Sequence, residues 1–287
     1  MKNIYKIIDE MKNHAGLALA TAIEPNDLTN CSEEMLAVRW LQQINQHPEL
    51  YESGWYVPPP QGIIAVFGKD LNNFDRITQP SFRPQFMWPQ PHSLYNKGDI
   101  IAVYASPVHR QTNMIGDFGM NIYEGENTKI HDHFEKVLEA TIAIANFTNI
   151  GMPFCEIYQQ AMQLAQKYGF ENNIESFNDR AGTNVGHTIP LSYASDPTHA
   201  QIASATSFED IKNTISRGRK FINREETQCV EPNMAFTIEP RFSTSDMPNT
   251  WFHLTVIYEN GTRKICHGFK PVFEKFNMYR LLSLLPS

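Results

Sequence analysis

The chain has 287 residues, 41% of them apolar and 19% charged, and 24 Lys and Arg against 31 Asp and Glu give a net charge of −7. That apolar share can fill a core, which excludes a disordered chain, and the length suits one large α/β domain or two modest ones. The acidic balance argues against nucleic-acid binding: the densest basic stretch, Arg217, Arg219, Lys220 and Arg224, is soon followed by Glu225 and Glu226 and reads as a solvated helix face.

In chain order, residues 1–14 carry charges every few positions and lack an apolar run, so no secretory leader is expected. Residues 33–46 read as a helix, with Leu36, Trp40 and Ile44 on one face and Ser32 as its cap. Residues 62–68 form a short apolar strand between glycines. The proline-rich stretch 80–91 reads as an ordered wall, and strands follow at 99–105 and near 114–123. Residues 129–148 give the clearest helix, with Ile130, Phe134, Val137, Leu138, Ile142 and Ala145 in one stripe. A second helix, 154–168, ends before Gly169. Further strands are expected at 182–188, 234–239, 252–258 and 262–266, with a weak helix at 207–220. His131 and His133 begin a helix two residues apart, share no face, and are expected to be solvated.

Cys31, Cys155, Cys229 and Cys266 lie far apart without a CxxC pair, so neither a zinc knuckle nor a disulfide framework is expected. No stretch approaches the ~18 consecutive apolar residues of a membrane helix. A cytoplasmic protein with no membrane partner is the expectation.

Four strings carry chemistry: GDIIAVY (98–104), GDFGMNIYEG (116–125), GTNVGHTIP (182–190) and MAFTIEP (234–240), followed by WFHLTVIYENG (251–261). Glu239 ends an apolar strand, where a carboxylate is costly unless it is paired or holds a metal. His187 alone reads more simply as a hydrogen-bonded core histidine, and Asp117 between glycines as a turn residue.

In this order and spacing the strings resemble the pita-bread family of metallopeptidases: methionine aminopeptidases, prolidases, Xaa-Pro aminopeptidases and creatinase. The resemblance covers most of the chain and rests above all on Gly186-His187 and on FTIEP at 236–240. It implies an α+β fold, a duplicated α/β half-barrel with helices outside a curved antiparallel sheet, as one domain over 1–287 with an insertion at about 189–233. It also implies a dinuclear metal site of two aspartates, one histidine and two glutamates. Carried over, the first aspartate falls on Tyr104, the second on Asp117, the histidine on His187 and the first glutamate on Glu239. The last glutamate falls on Phe252, or on His253 if one residue bulges. A second family histidine falls on Ala194, or is displaced to His199. His92 of the PHS string matches a substrate-facing histidine.

Two carboxylates offset one divalent ion rather than two, so the expected site holds a single Mn, Fe or Zn on Asp117, His187 and Glu239, with His253 as a further candidate. Tyr104 is a poor ligand unless its pKa of ~10 is strongly perturbed. Phe252, in the last ligand position, would dry that side of the pocket. The expected activity is metal-assisted hydrolysis of an amide or other C–N bond in a small molecule or short peptide, with His92 as proton shuttle. A metal-free, creatinase-like enzyme using His92 and Glu239 is one alternative, and a non-catalytic binding module is another. A homodimer is expected.

Overall fold

The computed structural model describes residues 3–23, 28–68, 76, 81–176, 179–190, 201 and 204–286. The chain forms two similar halves. In the first, helices α1 (Ile4–Ala22) and α2 (Glu33–Ile44) pack on a three-stranded antiparallel sheet of β1 (Ile63–Gly68), β2 (Ile100–Ala105) and β3 (Phe118–Ile122). In the second, α3 (Thr128–Phe147) and α4 (Phe154–Tyr168) accompany a sheet of β5 (Met234–Ile238), β8 (Leu254–Glu259) and β9 (Thr262–Cys266), ordered β5-β8-β9. A smaller sheet joins β4 (Glu171–Asn172), β6 (Phe242–Thr244) and β7 (Met247–Thr250). Helix α5 (Phe208–Gly218) and the C-terminal helices α6 (Lys270–Lys275) and α7 (Tyr279–Leu282) complete the chain. Among the described residues no helix is long and apolar enough to cross a membrane.

Sequence and structure agree on α2, α3, α4, the central strands and the Gly169 cap, which takes φ 72°. They differ at α1. Asn3 caps it by accepting from the Tyr5 and Lys6 amides, and Ile8, Met11, Ala15 and Leu19 bury one face against the sheet. Charges spaced along its other face hide this helix from a reading that looks for apolar runs. Residues 182–188 also differ: they form bridges, His187 to Phe221 and Thr188 to Phe236, rather than a strand, because Gly182 and Gly186 interrupt the extended backbone. His133 is buried, not solvated, and its Nε2 meets the Pro248 carbonyl at 3.2 Å. Burial pushes its pKa down to about 4. Among the described residues no disulfide joins Cys31, Cys155, Cys229 or Cys266.

The halves meet where β3 passes residues 251–253. Met120 bridges Phe252, the His253 amide donates to the Gly119 carbonyl at 2.8 Å, and the Asn121 amide donates to the Trp251 carbonyl at 3.2 Å. Alternation along this extended segment then decides which side chain faces the concave site.

Candidate active site and metal centre

Phe252 points away from the site into the core, where it is fully buried and packs edge-on against Phe134, Phe269 and Phe273. It therefore does not dry the pocket. His253, one residue on, faces inward. Its ring lies against Gly119, where an added Cβ would stand 3.0 Å from three ring atoms, so only glycine leaves room for the imidazole.

Asp117 immediately precedes β3, and Glu239 immediately follows β5. His187 is held between two extended segments. The Thr237 amide donates to its carbonyl at 2.7 Å, its own amide donates to Thr237 Oγ1 at 3.0 Å, and the Thr188 amide donates to the Lys220 carbonyl. Gly186 makes this passage possible: its φ is +154°, and a Cβ there would sit 2.0 Å from the Thr237 carbonyl oxygen. The preceding loop is tied down by Asp179, which accepts from Asn184 and Asn223.

These elements bring Asp117, His187, Glu239 and His253 together. His187 Nε2 lies 3.6 Å from both Asp117 Oδ2 and Glu239 Oε1. His253 Nδ1 lies 2.8 Å from Asp117 Oδ1 and 3.1 Å from Glu239 Oε2. Its hydrogen bond goes to Asp117, and Glu239 Oε2, although buried, receives none from the described residues. Tyr104 donates to Asp117 Oδ2 at 3.1 Å. Burial, reinforced by the charges of Asp117 and Glu239, raises the Tyr104 phenol well above its usual pKa, so it is a neutral donor and not a phenolate ligand. Burial would raise the Asp117 carboxyl too, but hydrogen bonds from His187 and His253 and their charges hold it far below the usual carboxylate range.

This donor set fits one divalent ion. His187 Nδ1 lies 2.8 Å from the Thr188 carbonyl and donates to it, so Nε2, which faces the acids, is the nitrogen that would give up its proton for an ion. Donors about 2.1 Å from a tetrahedral centre stand about 3.4 Å apart, close to the separations from His187 Nε2 to the two carboxylates. Ligand atoms of Asp117, Glu239 and His253 also lie within 4.8 Å of one another. The set does not fit two ions: two carboxylates carry half the charge required, and His253 Nδ1 stands between them.

The cavity above these residues has a volume of about 80 Å³ and is walled by Trp55, Tyr56, Phe82, Arg219, Phe221 and Arg241 among others. It shares Tyr56, Ser81, Glu175, Ser176 and Arg219 with an outer cavity of about 440 Å³, which Arg83 and Arg217 also line. Arg219 is thus part of the pocket wall and not of a solvated helix face. Its guanidinium carbon stands 4.8 Å from the Trp55 ring centre and 4.7 Å from that of Phe221. Arg241 lies 4.1 Å over Phe82. The Arg219 Nε and the Trp55 Nε1 are buried donors without an acceptor among the described residues. Burial lowers the pKa of both guanidinium groups from the ordinary arginine value. Sequence reasoning missed both arginines, and their only signal was position: one follows α5, the other comes two residues after Glu239.

His92 is not in the site. It is exposed in a turn and absent from the pocket wall. Its loop is pinned elsewhere, because Ser93 Oγ and the Gln90 amide donate to the buried Glu33 carboxylate at the start of α2. Ala194 and His199 lie outside the described residues.

Several solved structures share the fold. A prolidase from Pyrococcus furiosus superposes with a TM-score of 0.62 at 15% identity, over 93% of this chain and 64% of its own. An X-Pro aminopeptidase from Thermotoga maritima gives 0.58 at 14%, over 91% and 59%. The His361Ala variant of Escherichia coli aminopeptidase P gives 0.60 at 11%, over 98% and 58%. The chain thus spans about three fifths of the length of these structures. Among curated proteins no sequence matches it. The profile of metallopeptidase family M24 matches residues 62–266, a span that takes in Tyr104, Asp117, His187, Glu239 and His253 and covers well over half of the sequence. The chain belongs to metallopeptidase family M24, with the pita-bread fold.

Proposed function

We propose that this chain hydrolyses an amide or other C–N bond in a small anionic molecule or short peptide, at a site that takes one divalent ion. The observation that carries this reading is that ligand atoms of Asp117, Glu239 and His253 lie within 4.8 Å of one another, with His187 Nε2 3.6 Å from both carboxylates. Asp117 and Glu239 would hold the ion together with His253 and His187. An ion of Mn, Fe or Zn held there would supply Lewis acidity toward a carbonyl and water.

The chain's own groups do the rest. Glu239 Oε2 is an acceptor aimed at the site and takes the proton of an attacking water, then returns it to the leaving nitrogen. Tyr104 keeps its proton and orients Asp117, which stays ionised as the fixed negative charge. Arg219 and Arg241, seated on aromatic rings, would receive an anionic group such as a carboxylate, and the Trp55 indole adds a further donor. The aromatic wall excludes water from the charges it faces.

A second reading, a metal-free hydrolase, draws on His253: its Nδ1 stands between Asp117 and Glu239, where an internal donor does part of the work of an ion. A pure binding module would have its pocket filled by Tyr104 and Phe252. With Phe252 in the core, the cavity stays open.

Turnover of a panel of short peptides, Xaa-Pro dipeptides included, is the test. Glu239→Gln is expected to abolish hydrolysis, whereas His92→Ala leaves it within about twofold. Turnover retained by Glu239→Gln would refute the assignment.

A further inference from the structure

Lys12 is a fully buried lysine that no step above uses. It lies on α1, which presses so closely on the segment before Asp117 that a Cβ on Gly116 would stand 2.7 Å from the Lys12 amide nitrogen. Its ammonium donates to the main-chain carbonyl of Asp117 itself. A buried ammonium is costly unless negative charge faces it. Asp9, one such charge, is already matched by Lys264 at 2.6 Å. The buried Cys266 thiol is neutral, its pKa pushed up to about 12 by burial and Asp9. With Asp9 and Cys266 so accounted for, the charges that oppose the lowering of the Lys12 pKa by burial, to about 8, are those of Asp117 and Glu239.

We propose that Lys12 is a positioning residue of the site, a built-in cation behind Asp117 that offsets part of the Asp117–Glu239 charge and limits the site to a single divalent ion. The proposal rests on the one-ion reading, and the experiment separates the two.

Mn²⁺ binding is measured by calorimetry on the wild type, Lys12→Gln, Lys12→Met and Lys12→Arg. Removing a like charge several ångströms from the ion, at the effective dielectric of a protein interior, is expected to tighten Mn²⁺ binding by about tenfold or more. Alternatively it admits a second ion in the Gln and Met variants. Lys12→Arg keeps the wild-type affinity within about threefold. A merely structural lysine would leave affinity and stoichiometry of all folded variants unchanged, and that result overturns the proposal. If the wild type binds no Mn²⁺ but Lys12→Gln does, the one-ion reading fails while Lys12 keeps its role. Absence of binding in both overturns both. Should the neutral variants unfold without metal, a Tm restored by millimolar Mn²⁺ supports the proposal, and no restoration overturns it.

Discussion

His253 Nδ1 meets Asp117 Oδ1 at 2.8 Å, joining residues 136 positions apart from the two halves of the fold. The bond exists because the segment before β8 runs beside β3, with Phe252 turned to the core and His253 to the site. It also supplies one of the donors that keep Asp117 ionised.

His253→Ala should therefore remove a hydrogen bond to a buried charge and lower unfolding stability by about 1–3 kcal/mol at neutral pH. Gly119→Ala, which crowds the same ring, should act in the same direction. Urea denaturation of both variants checks this. A His253→Ala protein as stable as its parent would show that the pairing contributes nothing to the fold.

Arg219 should govern affinity for an anionic group. Arg219→Met is expected to raise KM about 10- to 100-fold for substrates with a free carboxylate, with a smaller change in kcat, and to leave amidated analogues nearly unaffected. Equal losses on both substrate types would remove Arg219 from substrate recognition.

Part of this was legible in the chain itself. GH at 186–187 and FTIEP at 236–240 mark fixed backbone needs, a glycine that lets the chain pass Thr237 and a carboxylate at a strand end, so the family and two inward-facing residues, His187 and Glu239, could be read from them. The choice between Phe252 and His253 could not be made that way, because one residue of register reverses every side chain and the pairing with Met120 is long-range. His92 misled for a similar reason: a loop's direction is set by what anchors it, here the buried Glu33, and that contact leaves no local pattern. Arg219 looked like one member of a basic stretch because helix α5 ends just before it. Lys12 was hidden in a helix whose other charges are solvated.

Stability should depend on pH through His133. Its folded pKa of about 4, lowered by burial, lies below the unfolded value of ~6.5, so the unfolded chain binds the extra proton between those limits. The His133 contribution to stability then falls as pH drops from about 6.5 to 4, by about 3 kcal/mol; His267, also lowered to about 4 by burial, acts in the same window, so His133→Gln should reduce that slope without abolishing it. Asp117 acts lower: with its folded pKa depressed, its contribution is complete above about pH 4 and is lost only on further acidification. Thermal melts from pH 4 to 7.5 test the first window. A His133→Gln protein with the parent's slope would assign it to other groups.

The most direct test of the one-ion site is elemental analysis of the purified protein after loading with Mn, Fe or Zn and removal of excess metal. The account predicts close to one divalent ion per chain in the wild type, and loss of that ion in both Asp117→Ala and His187→Ala. No bound metal under any loading condition, or two ions per chain in the wild type, would contradict it.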